Sequence, residues 1–95
     1  MFIAFLKYST NKTAASEHMP DHGKWISQGF EDGIFHLAGA LDNDAGGFII
    51  AHGESRDAFE ARIQADPLVV HQVVDAEIHE IDPKKTTQAL EFLKA

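Results

Sequence analysis

The sequence predicts an α+β fold of the ferredoxin-like type, with the order β-α-β-β-α-β in one antiparallel sheet and a further helix at the C-terminus. Three observations predict it. Four segments have the apolar patterns of strands, two carry apolar residues at helical spacing, and a turn-forming stretch joins the two middle strands. The chain has 95 residues, enough for one domain over residues 1–95 and too few for two.

The first strand and the first helix are predicted from residues 2–33. FIAFLKY, residues 2–8, is apolar on both alternating sets, as expected of a strand covered on both faces. Residues 9–19 are small and polar, which predicts a loop, and Pro20 suits the first helical position because its missing N–H has no partner there. Gly33 is suited to end the helix. One face of this helix carries His22, Trp25, Ile26, Gly29 and Phe30 at the i, i+3, i+4, i+7, i+8 spacing.

A hairpin and a second helix follow. Residues 34–41 and 48–52 are predicted strands, joined by the turn-forming residues DNDAGG at 42–47. Ser55 is predicted to cap the second helix. This helix is expected to end at Asp66, because a residue before proline avoids the helical conformation.

The last predicted elements are a strand and a C-terminal helix. Residues 73–81 alternate as a strand does. Asp82 and Pro83 resemble a helix cap and first helical residue, which predicts a helix over about residues 84–94. Leu90 and Leu93 are expected to dock this helix on the domain.

The apolar strands also predict self-association. In this fold both main helices cover one face of the sheet, so the other face would be exposed to water. Residues 2–8 and 48–52 are too apolar for that exposure. A second copy of the chain, packing its own sheet there, is the simplest cover, and a homodimer is therefore expected.

Composition excludes several classes of partner and site. The chain has 8 Lys and Arg against 15 Asp and Glu, a net charge of −7, so neither nucleic acid nor an anionic membrane is an expected partner. There is no cysteine, which excludes disulfides, thiolate metal sites and a cysteine nucleophile. The N-terminal apolar run is short and lacks a preceding basic segment, so it is interpreted as a strand rather than a signal peptide, and a cytoplasmic protein is predicted.

His22 is the first candidate for catalysis. Its predicted place is the first turn of a helix, where the macrodipole favours a neutral imidazole, and a neutral ring can act as a general base. The adjacent Gly23 weakens the helix by ~1 kcal/mol relative to alanine, which suggests that another group approaches closely there. In the alternative interpretation the ring packs on Trp25 and Ile26 with its polar edge hydrogen-bonded.

Asp66 is the second candidate. It stands at the predicted end of the second helix, where the helix dipole disfavours a carboxylate. It could orient His22 or share proton transfer with it. The alternative is that Asp66 and Pro67 serve only to stop the helix.

The remaining histidine pairs are weaker signals. His18 and His22 are four residues apart, but Pro20 interrupts the helix that a metal site would need, and no metal is predicted. His36 and His52 lie symmetrically about Asp44, so a regular hairpin would place them opposite each other on one face. They are either part of a site or a solvated cross-strand pair.

Together these motifs resemble the YCII-related family. The family pattern is an early strand, a histidine followed by a large apolar residue and a helix-ending glycine, a small-residue strand, and paired glycines before an apolar strand. A Ser-led helix closing in Asp-Pro and a final strand complete it. The matching segments are HGKWISQGFEDG, LAGAL, DNDAGG, FIIAH, ESRDAFEARIQADP and VVDAEIHEI, which span nearly the whole chain.

The resemblance implies a dimeric α+β barrel with a His–Asp active site, whose roles fall on His22 and Asp66. One relative is a dehydrochlorinase acting on chlorinated hydroxyhydroquinones. The chain departs from the pattern at Asp44 and Ala45, where the family often has a basic residue, and at Leu68, where it tends to have phenylalanine. These positions are expected pocket walls, so the substrate class is not carried over.

The functional prediction is a lyase or hydrolase acting on a small, cyclic, polar organic molecule, without a cofactor. His22 would be the general base and Asp66 its orienting partner or the acid. A non-catalytic ligand-binding module of the same fold is the alternative, and a purely structural dimer is the third. A solvent-reachable cavity shared by His22 and Asp66 would favour the enzyme. The predicted substrate-binding residues are Trp25, Phe35, Phe48, His36 and His52.

Overall fold

A computed structural model describes residues 1–94 and shows a four-stranded antiparallel sheet with helices packed on one face, which confirms the predicted fold class. The order of strands in the sheet is β2-β3-β1-β4. The strands are β1 Phe2–Tyr8, β2 Phe35–Ala40, β3 Gly46–Ala51 and β4 Val74–Glu80. The helices are α1 Ala15–Glu31, α2 Arg56–Gln64 and the short α3 Pro67–Val70. Segments of 3-10 helix span Lys12–Ala14, Asp42–Asp44 and Gln88–Lys94.

Alternation along β1 divides the sheet into two faces. Phe2, Ala4 and Leu6 are buried in the core beneath the helices, where Phe2 stacks on Phe59 of α2 at 4.7 Å between ring centroids. The intervening residues of β1 belong to the opposite face, which is called the outer face below. Its apolar centre consists of two cross-strand pairs between β1 and β3, Ile3 with Ile50 and Phe5 with Phe48.

Helix α1 begins at Ala15 rather than at Pro20, so the predicted loop over residues 9–19 is wrong for its second half. Pro20 cannot donate to the Ser16 carbonyl, but both residues are exposed and water can take the place of that bond. The additional turns gain packing, because the His18 ring stacks on the His71 ring at 3.8 Å. Tertiary contact therefore outweighs the local signal of the proline.

The C-terminus of α1 is where the sequence predicted it. Gly33 has φ +76°, a conformation that suits glycine, and it follows the last helical residues. Its N–H donates to the Phe30 carbonyl at 3.0 Å, and the Ile34 N–H donates to the Gly29 carbonyl at 3.1 Å. These two bonds form the Schellman motif that satisfies the last carbonyls of a helix.

The hairpin forms as predicted, but its register differs. Ala40 pairs with Gly47, one residue away from the register that would set His36 opposite His52, and a bulge lies between Phe35 and Leu37. The 3-10 turn at 42–44 shifts the pairing by one residue, and the bulge shifts it by one more in the same direction, so that Phe35 pairs with Ala51 and the parity of the predicted register is restored. The two rings consequently still lie on one face, with centroids 6.0 Å apart.

The C-terminal segment is not the predicted helix over about 84–94. Only Gln88–Lys94 is helical, as a 3-10 segment, and residues 81–87 have no regular structure. The Asp82 carboxylate pairs with the Lys84 ammonium at 2.6 Å and caps no helix. Leu93 is buried as expected, whereas Leu90 is 47% exposed, and Phe92 makes the second docking contact, against His36.

Within residues 1–94, no helix combines the length and apolar character that crossing a bilayer requires. The prediction that nucleic acid and anionic membranes are not partners rests on the net charge of −7 and stays a prediction. The cytoplasmic location stays a prediction.

Candidate functional site

The His22 and Asp66 side chains are in contact. The His22 Nδ1 atom lies 2.7 Å from the Asp66 Oδ1 atom, which is hydrogen-bonding distance. Helix α1 supplies the histidine and the junction between α2 and α3 supplies the aspartate. The two residues are 44 positions apart, so the packing of the two helical units on one face of the sheet creates the contact.

Asp66 holds its position because it caps α3. Its Oδ1 atom accepts a hydrogen bond from the Leu68 N–H at 3.0 Å, and Pro67 occupies the first turn of that helix. The carboxylate therefore lies at the favourable N-terminus of α3, and the argument from an unfavourable helix end was wrong. The Asp-Pro pair ends α2 and begins α3 in one step.

The Asp66 carboxylate is 0% exposed and is the one buried polar or charged side chain among residues 1–94. Its Oδ2 atom is buried without a hydrogen-bond partner among those residues. Burial of a carboxylate costs stability unless partners compensate, and here one imidazole and one amide N–H do so. A buried group retained at such a cost is typical of a functional site.

The sequence argument for a neutral His22 at a helix N-terminus was also wrong. Because α1 begins at Ala15, His22 lies beyond the first turn, where the effect of the dipole has fallen off. The expected close approach at Gly23 is absent, since a methyl group built there would meet no atom within 4 Å. Asp66 sets the roles of the ring nitrogens instead: opposite an ionised carboxylate Nδ1–H donates, and in the neutral ring Nε2 then carries the lone pair.

His22 lines a cleft of about 210 Å³ at the end of the sheet where β1 and β2 finish. Asp66 is not in its lining and lies buried behind the imidazole, which is 17% exposed. The expectation of a cavity shared by both side chains therefore holds for His22 alone. Apart from His22, the lining consists of Leu6, Tyr8, Met19, Gly39, Ala40, Gly46, Gly47, Leu68 and Val74, with no Asp, Glu, Lys or Arg.

Trp25 and Phe35 pack next to His22 on the side away from the cleft. The Trp25 ring lies 5.7 Å from the His22 ring and 5.1 Å from the Phe35 ring, measured between centroids. The Trp25 Nε1–H donates to the Arg62 carbonyl at 3.0 Å, which ties α1 to α2. Neither aromatic residue lines the cleft, so both belong to the packing around His22 rather than to a substrate wall.

Ion pairs around Arg62 of α2 join that helix to the C-terminal end of α1. The guanidinium donates to the Glu54 carboxylate at 2.8 and 3.1 Å and to the Asp32 carboxylate at 2.8 Å. Hydrogen bonds from Arg62, and from Gln28, lower the pKa of Asp32, while Glu54 and Asp32 raise the pKa of Arg62. The network positions the backbone carbonyl that Trp25 uses.

Phe48, His36 and His52 are not brought to the cleft. Phe48 pairs with Phe5 across the outer face, and the two histidine rings contact Phe92 there. The five residues expected to bind substrate are thus divided between the two sides of the sheet. Phe35 lies in the core on the helix-covered face and Phe48 on the outer face, so the sheet separates them and they share no pocket.

Tyr8 and Met19 line the cleft and were missed from the sequence. Tyr8 shares the alternating set of Leu6 in β1, so strand periodicity could have placed it on the helix-covered face. Met19 falls within residues 9–19, whose small and polar character predicts a loop. Leu68, by contrast, was singled out as an expected pocket wall, and it lines the cleft.

Residues 1–94 contain no group of three or more His, Asp or Glu side chains arranged to hold a metal ion. His18, which the spacing paired with His22, stacks on His71 instead. The chemistry available in the cleft is therefore that of an imidazole backed by a carboxylate.

A family profile for the YCII-related domain matches residues 1–82. The chain belongs to the YCII-related family. No curated protein matches the sequence. Among solved structures, this YCII-related chain resembles 5-chloro-2-hydroxyhydroquinone dehydrochlorinase from Burkholderia phenoliruptrix AC1100, solved in complex with 2,5-dihydroxybenzoquinone, with a TM-score of 0.71. The match covers 84% of this chain and 91% of that one at 15% sequence identity, which establishes a common fold.

Proposed function

We propose that this YCII-related protein is a small-molecule lyase in which His22 is the general base. The observation that carries the proposal is the 2.7 Å contact between His22 and the buried Asp66, because a ring that donates through Nδ1 keeps Nε2 to accept a proton. Proton transfer requires a base that is held in orientation and is open to the substrate, and here the buried Asp66 orients the His22 ring at the cleft.

Elimination is the reaction that this arrangement serves best. Nε2 takes a proton from the substrate, the released electron pair forms a new double bond, and the leaving group departs with its bonding electrons. The Asp66 carboxylate stabilises the imidazolium that results and keeps the ring in place. An elimination needs one base and no nucleophilic side chain, which the cleft supplies, and the likeness to a dehydrochlorinase supports a lyase rather than a hydrolase.

The lining indicates a small ring compound. A cleft of about 210 Å³ with apolar walls and no charged side chain suits one ring that bears an acidic proton. Gly39, Gly46 and Gly47 leave backbone on one wall, where a flat molecule can approach. The substrate and the bound compound of the structurally similar dehydrochlorinase, a chlorinated hydroxyhydroquinone and a dihydroxybenzoquinone, are of this kind.

Titration with 2,5-dihydroxybenzoquinone, followed by NMR, tests whether the cleft binds such a ring. We expect the His22 ring signals to shift, together with the indole N–H of Trp25, the one tryptophan of the chain. Turnover is then measured with 5-chloro-2-hydroxyhydroquinone by the release of chloride. Absence of any shift at millimolar probe would contradict the proposal. Binding without turnover of this or related ring compounds would favour the non-catalytic binding module.

We also propose that the outer face is covered by a second copy of the chain, as the sequence predicted. Ile3, Phe5, Phe48 and Ile50 are only partly covered, and the C-terminal segment packs beside His36 at the β2 edge. Light scattering at micromolar concentration is expected to report twice the 10.5 kDa chain mass. Phe48→Glu should shift it to one chain, whereas Lys24→Glu on exposed α1 should not. A wild-type mass of one chain would rule the dimer out.

A further inference from the structure

We infer that Tyr8 is the second polar contact of the substrate in this cleft, where its phenol O–H donates a hydrogen bond to a substrate oxygen. The inference rests on the proposed function and adds a binding residue to it. When Nε2 of His22 removes a proton, negative charge develops on the substrate, and a donor aimed at that charge lowers the barrier.

Tyr8 is placed for this contact by the geometry of β1. It is the last residue of the strand and pairs with Val74 of β4, and Val74 also lines the cleft. It belongs to the helix-covered face with Leu6, and its backbone N–H donates to the Ala45 carbonyl at 3.1 Å. The strand therefore fixes the base of the side chain while the ring forms part of the cleft wall with His22.

The composition of the lining singles Tyr8 out. Apart from His22, the other lining residues are glycine, alanine, leucine, methionine and valine, so Tyr8 has the one further side-chain donor. Its hydroxyl makes no hydrogen bond to residues 1–94. Tyr8 is half-buried and its hydroxyl remains accessible, so the O–H is open to a hydrogen bond with a ligand oxygen in the cleft.

Two loops hold the Tyr8 ring from outside. The Lys12 Nζ atom lies 4.8 Å from the ring centroid and 3.0 Å from the Asp44 carboxylate. Lys12 comes from the segment before α1 and Asp44 from the β2–β3 turn, so the ion pair links these two segments beside the ring. A cation above an aromatic face favours this position of the ring.

The test is the affinity for 2,5-dihydroxybenzoquinone, measured by calorimetry on the full-length wild type, Tyr8→Phe and His22→Gln. A hydrogen bond to an ionised group is worth enough that Tyr8→Phe should weaken binding by about 10–100-fold. Because Tyr8 is the one tyrosine of the chain, a protein labelled with ring-¹³C tyrosine has a single signal to observe. That signal should shift in the wild type when the probe binds. An unchanged melting temperature and indole signal of Tyr8→Phe would exclude a structural cause.

The outcomes separate this inference from the function on which it rests. If Tyr8→Phe binds the probe as the wild type does, while the probe still shifts the His22 ring signals, Tyr8 is no substrate contact and the proposed function stands. If the wild type does not bind the probe, both are overturned. Weaker binding by Tyr8→Phe, with the shifted tyrosine signal, supports the inference.

Discussion

Replacement of His22 by glutamine is expected to lower turnover by about 10²–10⁴-fold while the chain remains folded. The glutamine amide can still donate to the Asp66 carboxylate, so the buried oxygen keeps a partner, but it cannot take up a proton. The fall should appear mainly in kcat, because the base acts on the transition state more than on the bound substrate. The measurement is kcat and KM on the compound that the probe titrations identify, beside the thermal unfolding curve.

Two companion variants sharpen this result. Asp66→Asn keeps an oxygen for the Leu68 N–H but removes the negative charge beside the imidazole, so it should also lower turnover. Lys24→Ala is the control in the same helix, since that side chain is 83% exposed and should leave turnover unchanged. Turnover of His22→Gln within threefold of the wild type would exclude His22 as the base.

Substitution of Gly29 by alanine is expected to destabilise the protein by about 1–3 kcal/mol, as overpacking of a close-packed core does. Gly29 is the buried residue of α1, and a methyl group there would overlap the ring of Phe35. Phe35 is itself buried and is enclosed by Trp25 and Phe30, with centroids 5.1 and 6.1 Å away, so it cannot yield without moving its neighbours. Thermal or urea unfolding measures the change.

Gly23→Ala is the matched control in the same helix. Gly23 is exposed, and a methyl group there would meet no atom within 4 Å. Only the helix propensity then changes, and the variant should be more stable by up to ~1 kcal/mol. Opposite signs for the two variants would show that the packing of α1 on Phe35, and not glycine as such, sets the cost. If Gly29→Ala were as stable as Gly23→Ala, the close contact between α1 and β2 would not exist in solution.

The element order and much of the local chemistry could be read from the sequence. The strand patterns, the Ser55 cap, the Gly33 stop and the Asp-Pro break are encoded by neighbouring residues, and the structure has each of them. The Ser55 hydroxyl, for example, accepts from the Ala58 N–H at 3.1 Å, an interaction that spans three residues. Signals of this range depend little on the rest of the fold.

The contact between His22 and Asp66 could not be derived in that way. The sequence pattern placed His22 and Asp66 on two helices that cover the same face of the sheet. Whether the two side chains meet depends on the angle at which these helices cross, which the sequence does not give. The family resemblance favoured it, and the packing of α1 against α3 establishes it. His22 does not lie in the first helical turn, where the sequence predicted it, because α1 extends beyond Pro20 to Ala15.

By itself the sequence determined an antiparallel α+β sheet with its two main helices, and it indicated His22 and Asp66 as candidates for catalysis. Only the tertiary structure decided that Asp66 is buried behind His22, that Tyr8 faces the cleft, and that Phe48, His36 and His52 lie on the other side of the sheet. The physical reason is the distance along the chain over which each interaction acts. Caps, turns and strand alternation act over a few residues, whereas the register of a bulged hairpin and the crossing of two helices follow from how the whole core packs.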